Sequence, residues 1–403
     1  MTANRQPRST PDLELRLWKV GRALTVTFGA AVLVAGGIFF SLVVLLDFQE
    51  IDSTAKLDAK TLFDLMKLSF GVVAGAGALV ALVVAYRRQR VDEAGAHREA
   101  TRLHTERFSQ AVDKLGSDSP AVRLGGVHAL AGLADDVPDD SLRQTCIDVL
   151  CAYLQLPFTP DPGDDPGQQD EHHRYLAFRK VRHTILRLIS DHYRRPRGTP
   201  RSWQGCDLDL TGVFIDGRMD FDGATFSDGA VVSFDGATFS KHGVVTFRRA
   251  TFSTGGWVSF HGATFSGRDV SFDRATFSGG TVAFDRATFS AGNAVSFRHA
   301  TFSGSRVFFG DATFSGGAVS FRGATFSGGT MAFREATRSD GGVFFHGATF
   351  SGGNVVFEGA TFSGGTVSFH DARGPAPSGL LTDAGTPASE SVILSSEWLA
   401  SSP

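Results

Sequence analysis

Two long apolar runs stand near the amino terminus of the chain. Residues 23–46 form 24 positions without a charged side chain, and residues 68–86 form 19 more. A helix needs about 20 apolar residues to cross ~30 Å of hydrocarbon. The pattern predicts two transmembrane α-helices, after a tail of residues 1–22 and joined by a loop of residues 47–67. A signal peptide or buried core helices are the alternatives, but the first run is too long for a signal peptide and a second run follows it.

The distribution of lysine and arginine gives these spans an orientation. Five basic residues precede the first span, and Arg87, Arg88 and Arg90 follow the second, whereas the loop has three lysines against five acids. Basic residues stay on the cytoplasmic side, so the loop is expected outside and both ends in the cytoplasm, as in a multi-pass protein of the cell membrane. Gly71 and Gly75 have the spacing of a helix–helix contact, and the partner helix is either the first span or the same helix of a second copy in a homodimer.

The middle of the chain has helical periodicity. Apolar positions recur at intervals of three and four over residues 87–159, which predicts a small cytosolic helical region in which Ser119 and Pro120 begin one helix. Residues 160–170 are rich in Pro, Asp, Gly and Gln and predict a linker. Residues 171–195 predict a basic helix, and a packed helix with a solvated polar face is favoured over one that contacts anionic lipid.

From Phe221 the chain repeats the pattern F-x-x-A-T-F-S-G-G-x-V-x with a period of 12 or 13, and the predicted solenoid spans residues 206–373. Such a period is the signature of a solenoid, and inward residues two apart within each strand predict an all-β coil with a Phe, Ala and Val interior. The intervals between inward residues favour a four-sided coil of two units and about six coils, with one unit per coil as the alternative. The predicted structural core includes Phe234, Ala237, Phe239, Val282, Phe284, Ala287, Phe289, Phe321, Phe326, Phe357 and Phe362.

The five-residue step from Phe284 to Phe289, and the segment C-D-L-D-L-T-G at residues 206–212, resemble those of pentapeptide-repeat proteins. The helical segments at residues 107–130 and 181–189 are similar to those of membrane-anchored members common in actinobacteria. The resemblance implies a right-handed, four-sided β-solenoid. Some members bind DNA gyrase by imitating the acidic rod of DNA. Two or three extra residues per unit depart from the family's strict period, and Arg338 replaces a repeat phenylalanine.

The charged residues and cysteines of the sequence limit the classes of function that the chain could have. The solenoid segment carries 15 acids and 13 bases, which is too balanced for DNA mimicry and argues against nucleic acid as a partner. Arg248, Arg249, Arg274, Arg286 and Arg298 form a basic stripe, interleaved with aspartates that favour a solvated mixed-charge surface. Three cysteines lack metal-ligand spacing.

No set of catalytic residues, cofactor motif or metal site is recognised in the sequence. A membrane-anchored scaffold for an unidentified protein partner is therefore predicted, with regulation of a nucleic-acid-binding protein such as gyrase as the alternative. Residues 374–403 are expected to form a low-complexity tail, or a cap over the last coil through Trp398.

Overall fold

The structure is a computed structural model, and it describes residues 25–26, 28–30, 32–33, 37, 59–158, 161–163, 166–227, 229–266, 270–290, 294–362, 364–381 and 389–399. The predicted tail of residues 1–22 lies outside the described residues, as does most of the predicted first span. The chain divides into two compact units, Met1–Arg102 and Leu103–Pro403.

The described part of the first unit is dominated by helix α1, Ala59–Leu115, which continues into the second unit. The helix contains residues 68–86 and also residues 59–67, so the segment predicted as a loop is helical from Ala59 onwards. Several apolar side chains are exposed along it, among them Leu79, Leu82 and Val84. In the described part of the chain, no helix has the combination of length and apolarity that a membrane span requires.

Three further helices form a small bundle in the second unit: α2 (Pro120–Asp136), α3 (Asp140–Gln155) and α4 (Gln169–Tyr193), with a short 3-10 helix at Pro166–Gln168. Helix α2 has proline at its first turn, and Asp139 caps α3 by accepting a hydrogen bond from the Ser141 backbone N–H. Leu130, Leu150 and Ile185 are fully buried, one from each helix. The predicted basic helix is therefore a packed core helix.

The rest of the second unit is a parallel β-solenoid. Its strands are β1 (Leu208–Asp209), β2 (Phe214–Ile215), β3 (Arg218–Asp220), β4 (Thr225–Phe226), β5 (Val231–Ser233), β6 (Thr238–Phe239), β7 (Val244–Thr246), β8 (Thr251–Phe252), β9 (Trp257–Ser259), β10 (Thr264–Phe265), β11 (Val270–Ser271), β12 (Thr276–Phe277), β13 (Thr281–Ala283), β14 (Thr288–Ser290), β15 (Ala294–Ser296), β16 (Thr301–Phe308), β17 (Thr313–Ser320), β18 (Thr325–Ala332), β19 (Thr337–Phe344), β20 (Thr349–Val356), β21 (Thr361–Phe362), β22 (Thr366–Ser368) and β23 (Val392–Ile393).

The strand register shows that one coil holds two repeat units. Thr225 of β4 pairs with Thr251 of β8, 26 residues further on, and Thr301 of β16 pairs with Thr325 of β18, 24 residues further on. Four strand positions per coil give the solenoid four sides, as the sequence predicts. The sides belong to two sheets of 10 and 13 strands, and from β16 onwards several strands continue around the Ser-Gly-Gly corner.

Phenylalanine rings fill the interior in stacked columns. Phe284, for example, lies 4.8 Å from Phe260 one coil before it and 4.8 Å from Phe309 one coil after it, with the rings nearly parallel. Its edge meets Phe272 at 87° across the axis of the coil. Such offset and edge-to-face contacts are the favourable geometries for aromatic pairs, so the repeat itself generates a continuous core.

Both ends of the solenoid are closed. At the first coil, Gln144 of α3 exchanges two hydrogen bonds with the backbone of Asp207, and the Arg182 guanidinium of α4 donates to the Phe214 carbonyl. At the last coil, Val392 pairs with Val367, and the buried Trp398 lies on the ring of Phe369 at 5.3 Å. Residues 389–399 thus cover the last coil, within the segment 374–403 for which the sequence predicts either a tail or a cap.

The number of coils differs from the sequence expectation. The solenoid makes about seven turns, not six. The difference arises at the ends, where residues 208–210 already build one side of the first coil and Val392 and Ile393 add a strand beyond the repeats. At Arg338, where a repeat phenylalanine is missing, the backbone still pairs in register with Phe314 and Phe362.

Candidate interaction surface

The predicted core residues lie inside the solenoid. The structure buries Phe234, Ala237, Phe239, Val282, Phe284, Ala287, Phe289, Phe321, Phe326 and Phe357. The side chain of Phe362 lies outside the described side chains. Gly71 and Gly75 lie on α1, where a Cβ added to either would meet no described atom within 4 Å other than the neighbouring backbone of its own helix. Because rings occupy the interior, the solenoid offers partners its outer surface.

The turn before each repeat alanine sets the shape of that surface. The residue at this position has a left-handed backbone in every unit, with φ between 53° and 74°. Six copies use glycine, but seven carry another side chain: Arg249, Arg274, Arg286, His299, Asp311, Glu335 and Asp371. A left-handed conformation costs a residue other than glycine roughly 1–2 kcal/mol, so charged side chains occupy these corners at a cost in stability.

Since a coil contains two units, these turns form two separate corners. We call the first the basic corner, and its arginines are Arg248, Arg249, Arg274, Arg298 and Arg322. All five are exposed. Neighbouring coils place equivalent positions ~4.8 Å apart, so the guanidinium groups follow one another along the solenoid.

A surface groove of about 500 Å³ runs through the basic corner, between the turns of successive coils. Asp222 pairs with Arg248 at 2.8 Å, and Asp273 pairs with Arg298 at 3.4 Å. Among the residues that the structure describes, no carboxylate forms an ion pair with Arg249 or Arg274. These two exposed guanidinium groups therefore supply the positive charge of the groove.

The aspartates of the turns hold neighbouring coils together. Asp222 Oδ1 accepts the backbone N–H of Arg248 at 3.0 Å, and Asp273 Oδ1 accepts that of Arg298 at 3.0 Å. Asp285 Oδ1 accepts the Gly310 N–H in the same way at 2.8 Å. The sequence predicts these aspartates on a solvated surface, and their role between the coils was not predicted. Their recurrence at one position of the repeat was the available signal.

The second corner carries the opposite charge. Its carboxylates belong to Asp235, Asp285, Asp311, Glu335 and Glu358. Arg286 lies here and pairs with Asp311 at 3.8 Å, whereas the sequence analysis placed it in one stripe with Arg274 and Arg298. That assignment is wrong because consecutive repeat units face opposite corners. We call this surface the acidic corner.

The three thiols offer no nucleophile. Burial raises the pKa of Cys146 to about 11, that of Cys151 to about 12 and that of Cys206 to about 11. Thiols with such values stay protonated at neutral pH and behave as small apolar side chains. Within the described residues, no group of three His, Cys, Asp or Glu side chains is arranged to hold a metal ion.

The coils define the class of the fold as a four-sided parallel β-solenoid, in agreement with the pentapeptide-repeat resemblance. Among solved structures, the chain is similar to trypsin-treated QnrB1, described as a plasmid-mediated fluoroquinolone resistance protein. The two share 18% identity over 41% of this chain and 78% of that chain, with a TM-score of 0.17. No family model matches the chain, and no curated protein matches it.

Proposed function

We propose that this chain is a non-enzymatic, membrane-anchored scaffold that binds an acidic segment of a protein partner through the basic corner. The observation that carries the proposal is the pair Arg249 and Arg274, exposed on successive coils and without a carboxylate partner among the described residues. Long-range attraction between opposite charges speeds encounter and selects the partner, while the turn backbone fixes the points at which the two side chains leave the surface.

The anchor in this proposal rests on the sequence. Residues 23–46 and 68–86 supply two uncharged stretches of membrane length, and the excess of basic residues outside the loop favours a cytoplasmic solenoid. A tether at the amino terminus would hold the basic corner near the bilayer and raise the effective concentration of partners that lie at the same membrane.

Binding is tested with the full-length protein in detergent and a fluorescent peptide of alternating Glu and Ser, by anisotropy. The Arg249→Gln/Arg274→Gln double variant is expected to weaken binding at least ~10-fold, because two charge-assisted contacts are lost. The Lys241→Gln/Arg306→Gln double variant, which removes two exposed positive charges of the same solenoid outside both corners, serves as the matched control. Equal binding by both variants would contradict the proposed surface.

The partner class is tested by placing a photo-crosslinker at position 299, an exposed residue of the groove outside the arginine pair, and comparing captured proteins with and without the double substitution. An acidic protein captured only by the intact corner supports the scaffold. Capture of gyrase, or a duplex DNA probe that binds more tightly than the peptide, would support the alternative of a regulator of nucleic-acid-binding proteins.

The anchor is tested separately, by alkaline carbonate extraction of membranes. The full-length chain should stay with the membrane, and removal of residues 23–46 and 68–86 should release it. Release of the intact chain would refute the anchor and leave the binding surface unaffected.

A further inference from the structure

A cleft of about 420 Å³ opens between helices α2, α3 and α4, away from both corners of the solenoid. Its volume falls in the range of small-molecule sites. One side is aromatic: the rings of Phe158 and Tyr175 stack at 5.2 Å, and Phe178 and Tyr153 stand beside them. Side chains of this kind provide flat apolar surfaces against which a ring or a short hydrocarbon packs.

Three arginines complete the lining. The Arg123 guanidinium lies 4.6 Å from the centre of the Phe178 ring, and its Nη1 donates to Tyr153 Oη at 3.0 Å. Arg182 lies 4.8 Å over the Phe158 ring. Stacking on rings holds a planar guanidinium in a fixed orientation, which prepares its remaining N–H groups to bind a carboxylate or phosphate.

Arg182 is the unusual member of the set, because it is only 3% exposed. Its two terminal nitrogens donate to the Leu154 and Phe214 carbonyls at 2.8 and 3.1 Å, while its buried Nε has no hydrogen-bond partner in the described part of the chain. Burial lowers the pKa of this guanidinium, although arginine stays charged at neutral pH. The charge of Asp216 offsets part of this burial cost without forming an ion pair with Arg182, and an anion in the cleft would lower the cost further.

The charges around the cleft are unbalanced. Among the lining residues that the structure describes, Glu171 is the one carboxylate, against Arg123, Arg174 and Arg182. Arg174 is exposed, and none of the three arginines forms an ion pair with another residue that the structure describes. The cleft therefore joins an excess of positive charge to an aromatic wall.

We propose that this cleft binds a small organic anion. Arg123, Arg174 and Arg182 recognise its phosphate or carboxylate, and its aromatic or apolar body packs against Phe158 and Phe178. The site is independent of the basic corner, and its ligand is a small molecule and not a protein segment.

The site is tested by isothermal titration calorimetry of the full-length protein in detergent with phenyl phosphate and with benzoate. Binding of either probe is expected, and the tighter one identifies the anionic group. Inorganic phosphate and phenol, which each keep one half of the ligand, should bind at least ~10-fold more weakly than the better aryl anion, because each lacks one set of contacts. Absence of binding by both aryl anions overturns the proposal, and so does inorganic phosphate that binds as tightly as they do.

The residue assignment is tested with Arg174→Gln, which changes an exposed side chain and leaves the packing of α4 intact. We expect a loss of affinity of at least ~10-fold for the better aryl anion. Lys180→Gln removes an exposed positive charge on the same helix outside the cleft and should change the affinity less than ~2-fold. An equal loss in both variants would mean that the net charge of the helix, and not the cleft, attracts the anion.

Discussion

The stacked phenylalanine columns predict how much stability is lost when either of two adjacent residues, Phe308 and Phe309, is truncated. Phe309 points inward and is fully buried, stacked on Phe284 at 4.8 Å and on Phe333 at 4.7 Å. Phe308 precedes it on the outer face of β16 and is half-buried, in register with Ala283 and Ala332. Replacing each in turn by alanine removes the same atoms from the outer and inner faces of one side of the coil.

The expected costs differ severalfold. Truncating a buried phenylalanine destabilises a core by about 3–5 kcal/mol, and each aromatic pair contributes roughly 0.5–1.5 kcal/mol beyond burial. Phe309 has two stacked partners and edge contacts to Phe297 and Phe321 at 81° and 85°, so Phe309→Ala should lie near 5 kcal/mol. Phe308→Ala should cost about 1 kcal/mol, because the side chain covers only small residues from outside.

The assay is urea unfolding of the full-length protein in detergent, followed by circular dichroism, with hydrogen exchange to locate the loss. In a solenoid each coil contacts only its neighbours, so exchange should rise first in the coils around Phe309 and stay low at the ends. Similar free energies of unfolding for the two variants would refute the inward and outward assignment. A uniform rise in exchange would refute the local coupling.

Further predictions concern the turns, the junction with the helices and the cap. Arg274→Gly should raise the free energy of unfolding by about 0.5–1 kcal/mol, because relief of the left-handed strain outweighs the added freedom of the unfolded chain. Gly262→Ala should lower it by about 1 kcal/mol, because the residue has a φ of 63° and the new Cβ meets nothing within 4 Å that could compensate. Thermal denaturation measures both changes, and a change of the same sign in the two variants would contradict the backbone strain. Burial alone would raise the pKa of Asp216, but its contacts with His183 and Arg179 outweigh burial and hold the pKa below 3.8. The stabilisation of the fold by Asp216 is therefore present above pH 3.8 and is lost as the pH falls through the lowered pKa. Asp216→Asn should flatten this acid limb of the curve of unfolding free energy against pH, and an unchanged acid limb would exclude the stabilisation. Trp398→Ala should expose the last coil and lower its local stability by about 3–5 kcal/mol. Limited proteolysis should then cleave the chain early near Phe369. An unchanged cleavage pattern would mean that the cap does not close this end of the solenoid.

Much of the solenoid follows from the sequence because its repeat is strict. The spacing between Val232, Phe234, Ala237 and Phe239 fixes which side chains point inward, and the uneven intervals between them give two units per coil. The two ends of the solenoid could not be predicted from the sequence, because residues 208–210 and Val392 form sides of a coil without having the repeat pattern. Pairing with an existing strand edge, and not their own composition, determines their structure.

The surface was harder to predict than the interior. Arg274 and Arg286 occupy the same place in consecutive units, yet the coil turns them to opposite corners, so a stripe drawn along the sequence mixes two surfaces. The cleft between α2, α3 and α4 was also missed. Its arginines come from positions as distant as Arg123 and Arg182, and only the packing of the helices brings them together. Periodicity within one element contains no information about such contacts.

Two units per coil also constrain how a gene for such a protein changes length. Gain or loss of a single unit would rotate every later unit by half a coil. Each later arginine of the basic corner would then lie on the acidic corner, and both columns of like charge would be interrupted at that point. A change of two units inserts or removes a whole coil and keeps both charge columns straight. Variation in length is therefore expected in steps of 24–26 residues, the separation of paired threonines such as Thr225 with Thr251 and Thr301 with Thr325.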